Sequence, residues 1–145
     1  MGACNRLIEP DPAYNLQVSE TPARQPLRFN AAQLGALLAF LGVALGAFGA
    51  HALGDTLSPE RLETYQTAVR YQMFHALALL ALGSLPQHTQ RAAPWLFFGS
   101  LVFSGSLYAL VFSGVSILGA VAPVGGVLQL VGWAILFFSL GRKSS

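Results

Sequence analysis

Six side chains pair a reactive or hydrogen-bonding group with a place in a long apolar stretch: His51, Tyr71, His75, Ser104, Ser106 and Tyr108. Two neutral imidazoles, His51 and His75, are candidate axial ligands for a haem iron, or part of a copper or zinc site. A chain of histidine, tyrosine and serine groups would instead relay protons or handle a small solute. The plainer alternative is that each imidazole bonds a nearby hydroxyl or backbone carbonyl and fixes helix packing. Catalytic sets are weaker. Ser104 and Ser106 have no acidic partner, because no Asp or Glu follows Glu63. Glu63 and His75 on one helix would lie about 18 Å apart. No Gly-x-Gly-x-x-Gly loop is present, and the single cysteine, Cys4, forms no intrachain disulfide framework. Neither a lipoprotein nor a myristoylation signal fits Cys4, since only three residues precede it and Arg6 stands where Ser or Thr is wanted. No cofactor is assigned, and the balance leans against an enzyme.

The elements that hold these groups are set by composition. Of 145 residues, 54% are hydrophobic and 10% charged, against about 25% charged in a soluble domain. Mean hydropathy is +0.55. These values describe an all-α integral membrane protein whose first partner is the lipid bilayer. The net charge of +2 comes from eight Lys and Arg scattered over tails and loops, with no patch for nucleic acid.

Residues 1–29 carry Pro10, Pro12, Pro22 and Pro26 among polar and charged residues and are expected to be a disordered, Pro-rich cytoplasmic tail. A membrane domain over 30–141 follows, with four spans at about 31–53, 65–85, 94–112 and 120–140. The first has no charge between Arg28 and His51, and Gln33 is its only strongly polar group. Its small residues Gly42, Gly46, Gly49 and Ala50 suggest a face for close helix packing, as do Gly105, Gly125 and Gly126 later. Ser58, Pro59 and Glu60 form a helix start. Met73–Leu85 alone is too short to cross, so the second span must include Tyr65–Gln72, with Arg70 snorkelling or paired.

Six of the Lys and Arg fall on the N-tail, second loop and C-tail, against Arg61 and Arg70 on the other side. This predicts an up-down four-helix bundle with both termini cytoplasmic. That topology draws His51, Tyr71, His75, Ser104, Ser106 and Tyr108 toward one outer polar cleft, with Gln129 deeper and Gln33 and Trp133 apart. Buried ionisable groups in lipid need partners and mark a candidate site.

Several motifs resemble one family: Gly46-Ala47-Phe48-Gly49-Ala50-His51, Tyr71-Gln72-x-x-His75-x-Leu77-Ala78, Phe103-Ser104-Gly105-Ser106-Leu107-Tyr108, and Pro123-Val124-Gly125-Gly126 with Gly132-Trp133. In this order they are similar to the YgdD-like family of small membrane proteins, domain of unknown function 423, over about residues 34–140. The resemblance implies four spans in a bacterial inner (plasma) membrane and no particular reaction. The leading expectation is an accessory or scaffold protein packing against a membrane complex or as a homo-oligomer. The alternative is cofactor, metal, proton or small-solute handling at His51 and His75.

Overall fold

The computed structural model describes residues 30–141; the expected N-terminal tail lies outside them. Four long helices fill this region: α1 (Ala31–Ala52), α2 (Pro59–Leu82), α3 (Ala93–Ser113) and α4 (Ile117–Leu140), with a 3-10 helix (Gln87–Ala92) leading into α3. No strand occurs among the described residues. Three of these segments, Ala31–Ala52, Gln87–Ser113 and Ile117–Leu140, are long and apolar enough to cross a membrane.

Local sequence explains the helix ends. Asn30 and Gln33 form a capping box: the Asn30 side chain accepts from the Gln33 N–H at 2.8 Å, and Gln33 Oε1 accepts from the Asn30 N–H at 3.0 Å. The lone polar residue of the first span is thus its start signal. Ser58 caps α2 ahead of Pro59. That helix ends at Leu82, three residues short of the expected Leu85. The third helix closes on Gly114 at φ 70°, a left-handed turn that glycine adopts without a Cβ penalty. The last helix starts at Ile117, earlier than the expected 120, and absorbs Pro123 in its second turn.

Each helix packs antiparallel on the one before it. Gly83 meets Ala32 at one end of the α1–α2 seam, and Tyr65 meets Gly49 at the other. Gly114 lies beside Arg61 and Ser104 bonds Ala68 between α2 and α3, while Gly125 meets Phe103 and Gly132 meets Leu96 between α3 and α4. The array is open: α1 touches α3 only slightly and makes no comparable contact with α4. A core of Leu38, Ala76, Leu79, Leu82, Leu96 and Leu136 joins the four, and a smaller cluster gathers Leu53, Tyr65 and Val111. Large apolar side chains such as Phe40, Phe74, Leu130 and Phe137 point outward, an arrangement that water would penalise and hydrocarbon accepts.

The α1 seam corrects one part of the expected packing face. Gly35, Gly42 and Gly49 are buried against α2, a Cβ added at Gly46 would lie 3.4 Å from Val69, and Ala50 is exposed. Seven residues fall about 20° short of two helical turns, whereas eight overshoot by about 80°. The seven-residue repeat therefore holds the seam and the step to Ala50 leaves it. Gly105 likewise packs on nothing within 4 Å, while Gly125 presses on the Phe103 backbone and Gly126 lies loosely against its ring.

Candidate functional site

Most of the buried polar residues fall into two groups on adjoining faces of α2, with Gln72 and His75 about 60° apart around the helix. The first lies between α1, α2 and α3. Tyr65 is fully buried and its hydroxyl donates to the Leu45 carbonyl at 2.7 Å. Gln72 is 5% exposed and bridges two neighbours: its Nε2 donates to the Leu38 carbonyl at 2.9 Å, and its Oε1 accepts from the Tyr108 hydroxyl at 3.0 Å. Ser104 Oγ donates to the Ala68 carbonyl at 2.9 Å. Tyr65 and Tyr108 stack obliquely with ring centroids 5.2 Å apart. Ser106 only bonds back to Phe103 of its own helix.

The second group lies between α2, α3 and α4, around His75. Its Nδ1 sits 2.8 Å from the Tyr71 carbonyl, and the Trp133 indole N–H donates to its Nε2 at 3.2 Å. An indole nitrogen can only donate, so Nε2 must carry the lone pair and Nδ1 the proton. This geometry assigns the neutral Nδ1–H tautomer, with both ring nitrogens engaged. The Tyr71 ring lies 4.7 Å from that of Phe103. A groove of about 420 Å³ runs along this side, lined by Tyr71, His75, Phe103, Gln129 and Trp133 with apolar residues of α4.

The common outer cleft of the sequence reading is therefore not assembled. His51 is exposed at the end of α1. On α2 the residues beside that end are near Tyr65, which meets Gly49, so His75 lies about 15 Å further along. The two imidazoles do not face one another and do not form a paired metal or haem site. Among the described residues, no group of three or more His, Cys, Asp or Glu converges on a metal-sized space. Ser104 and Tyr108 bond Ala68 and Gln72 on α2, and neither bonds Tyr71 or His75. Trp133, set apart in the sequence reading, is the partner that His75 has. A tryptophan deep in a span, away from the interfacial belts, needs an acceptor for its N–H, and that was the available signal. Gln72, the central bridge of the first group, was also missed.

The sequence profile described as "Protein of unknown function (DUF423)" matches residues 45–126. The chain belongs to this family. It is similar to a UPF0382 membrane protein of Staphylococcus epidermidis, 48% identical over 107 residues that cover 71% of this chain and 88% of the relative. The UPF0382 membrane protein YwdK of Bacillus subtilis is 42% identical over 109 residues, covering 71% of this chain and 89% of its own length. No solved structure matches. The matched stretch of the DUF423 profile runs from Leu45, about two turns before the end of α1, through Gly126, so it leaves out Leu38 of the first group and Gln129 and Trp133 of the second.

The two histidines are expected to behave differently. His75→Ala removes two hydrogen bonds and opens a small cavity, and should cost about 1–3 kcal/mol of stability. It should also alter Trp133 emission, because the indole loses its acceptor. His51→Ala should stay within about 0.5 kcal/mol, as exposed positions do. Thermal unfolding of the two variants in detergent, read with tryptophan fluorescence, checks both; equal losses would contradict the assignment.

Proposed function

We propose that the chain is a small multi-pass accessory protein of the bacterial inner membrane that packs laterally against a larger complex or a second copy of itself. The observation that carries this reading is where the buried polar groups go. Tyr65, Gln72, Ser104, Tyr108 and Trp133 each donate across a helix boundary. Side chains committed to joining helices favour a structural part over a reaction centre. The outer face of α1 supports the lateral partner: α2 is its one extensive neighbour, and Leu37, Phe40, Val43 and Phe48 stand exposed.

In this reading α2 is a fourth span and the topology is up-down with both termini cytoplasmic. Its whole length lies beside α1, so it shares the depth of α1, and Gln72 and His75 face protein rather than lipid. Arg91, with Arg24, Arg28, Arg142 and Lys143 flanking the same side in sequence, outweighs Arg61 and Arg70 on the other.

Labelling tests the topology. With Cys4 replaced by serine, Asp55→Cys should react with a membrane-impermeant maleimide in intact cells, and Ser144→Cys only after permeabilisation. Reaction of both from one side would sink the four-span arrangement. For the lateral partner, a photoreactive residue at Phe40 should give a discrete protein adduct, and one at Gln72 should give none. Lipid adducts alone at Phe40 would contradict the accessory role.

A further inference from the structure

The groove between α2 and α4 holds one feature that helix packing leaves unexplained. Gln129 is 4% exposed, lines the groove, and its amide Nε2 has no hydrogen-bond partner. An unmet buried donor costs about 1–3 kcal/mol, and hydrocarbon offers no water to relieve it. A Leu or Met would fill the position without that cost. The groove volume of about 420 Å³ lies in the range of small-molecule sites.

We propose that this groove binds a neutral, membrane-soluble molecule bearing a carbonyl oxygen on a flat conjugated ring, the chemistry of a quinone with an apolar tail. The Gln129 Nε2 is shielded from the groove, so a turn of the side chain brings the donor into it, where it calls for an acceptor atom on the ligand. His75 offers none in competition, since its lone pair already receives the indole N–H of Trp133. No charged side chain lines the groove, so a charged headgroup would be desolvated without a counter-charge. Tyr71, Phe103 and Trp133 border it with aromatic surface, against which a flat ring stacks at offset or edge-on geometry. Val127 and Leu130 are exposed along its mouth, which opens the groove to the acyl chains and gives a tail its path. A glycerolipid ester presents the same acceptor without the ring, and the experiment separates the two sources. The inference needs α2, α3 and α4 to lie in the bilayer and does not depend on the lateral partner proposed for α1.

The chain has two tryptophans, Trp95 and Trp133, so Trp95→Phe leaves Trp133 as sole reporter on the groove. The protein is placed in phosphatidylcholine nanodiscs, which already supply ester carbonyls in excess, and titrated with a short-tailed benzoquinone. Trp133 emission should be quenched saturably, while the Trp133→Phe protein, reporting from Trp95, shows only the linear quenching of partitioned quinone. Gln129→Met keeps the volume and removes the donor, and should raise the half-saturation point about fivefold or more. Should that variant fail to fold, Gly126→Leu decides. Its Cβ would meet nothing nearer than Phe103 Cδ2 at 3.9 Å, and the added side chain fills the groove and should abolish saturation. Linear quenching of Trp133 would mean that lipid esters or nothing occupy the site, and overturns the proposal. So does saturation that survives both Gln129→Met and Gly126→Leu.

Discussion

Gly125→Ala is expected to cost about 3 kcal/mol or more and to deplete the folded protein in detergent extracts. A Cβ at this position would land on the Phe103 backbone nitrogen and 2.7 Å from Phe103 Cα. Both atoms belong to the α3 backbone, so no rotamer change relieves the overlap and the two helices must separate. Overpacking of that kind costs about 1–3 kcal/mol when side chains can yield, and more when backbone must move. The gap would then loosen the neighbouring seam, where Gly99 and Gly132 pack on Gln129 and Leu96. Gly105→Ala is the matched control, since nothing lies within 4 Å of its added carbon. It should be neutral or stabilising by up to about 1 kcal/mol through helix propensity. Thermal midpoints of the two variants, read by size-exclusion after heating, give the comparison; equal losses would mean the α3–α4 contact is not this close.

The second large effect is expected at Gln72, whose amide is shared among three helices. Gln72→Leu leaves the Tyr108 hydroxyl without a partner and takes from the Leu38 carbonyl the second bond it accepts beside its own helix's, at a cost of about 1–3 kcal/mol. Interhelical hydrogen bonds in bilayers average less than in water-soluble cores, which favours the lower half of that range. Tyr108→Phe alone should cost less, because Gln72 keeps its bond to Leu38. The double variant is the informative one: with Gln72 already gone, losing the Tyr108 hydroxyl removes an unmet group and should cost little more. A coupling of about 0.5–1.5 kcal/mol in the double-mutant cycle is expected. Strict additivity would show that the 3.0 Å contact between them carries no energy.

These effects mark what the residues disclosed and what they did not. The apolar run of α1 and the Ser58-Pro59-Glu60 start of α2 were legible because each depends only on neighbours in sequence. The exposed Ala50 and the seam at Gly35, Gly42 and Gly49 were confused because spacings of four and seven both look periodic over so short a window. Tyr71 and His75 were rightly placed one turn apart on α2. Their true partner was hidden: Trp133 is 58 residues away on a helix whose rotation no local pattern reveals. His51 was wrongly joined to His75 because shared topology was taken for shared depth. Sixteen residues separate His75 from the start of α2, about 24 Å of helix, which carries it well past the end where His51 sits. Gln129 was seen to be deep, but whether its amide had a partner depended on α3, which the sequence does not orient.

The middle position of α2 has a consequence for how the protein comes to be made. This helix carries Arg70, Gln72 and His75 along its length, and it is the long helix whose composition alone does not suit it to lipid. As the nascent chain leaves the ribosome, α1 can settle among acyl chains unaided, but α2 gains little by following it alone. Only when α3 arrives do Ala68 and Gln72 receive Ser104 and Tyr108, and only with α4 does His75 receive its indole. On the proposed four-span arrangement, α2 is sheltered by the insertion machinery until the second half of the chain has been synthesised, so that the helices enter the bilayer as a group.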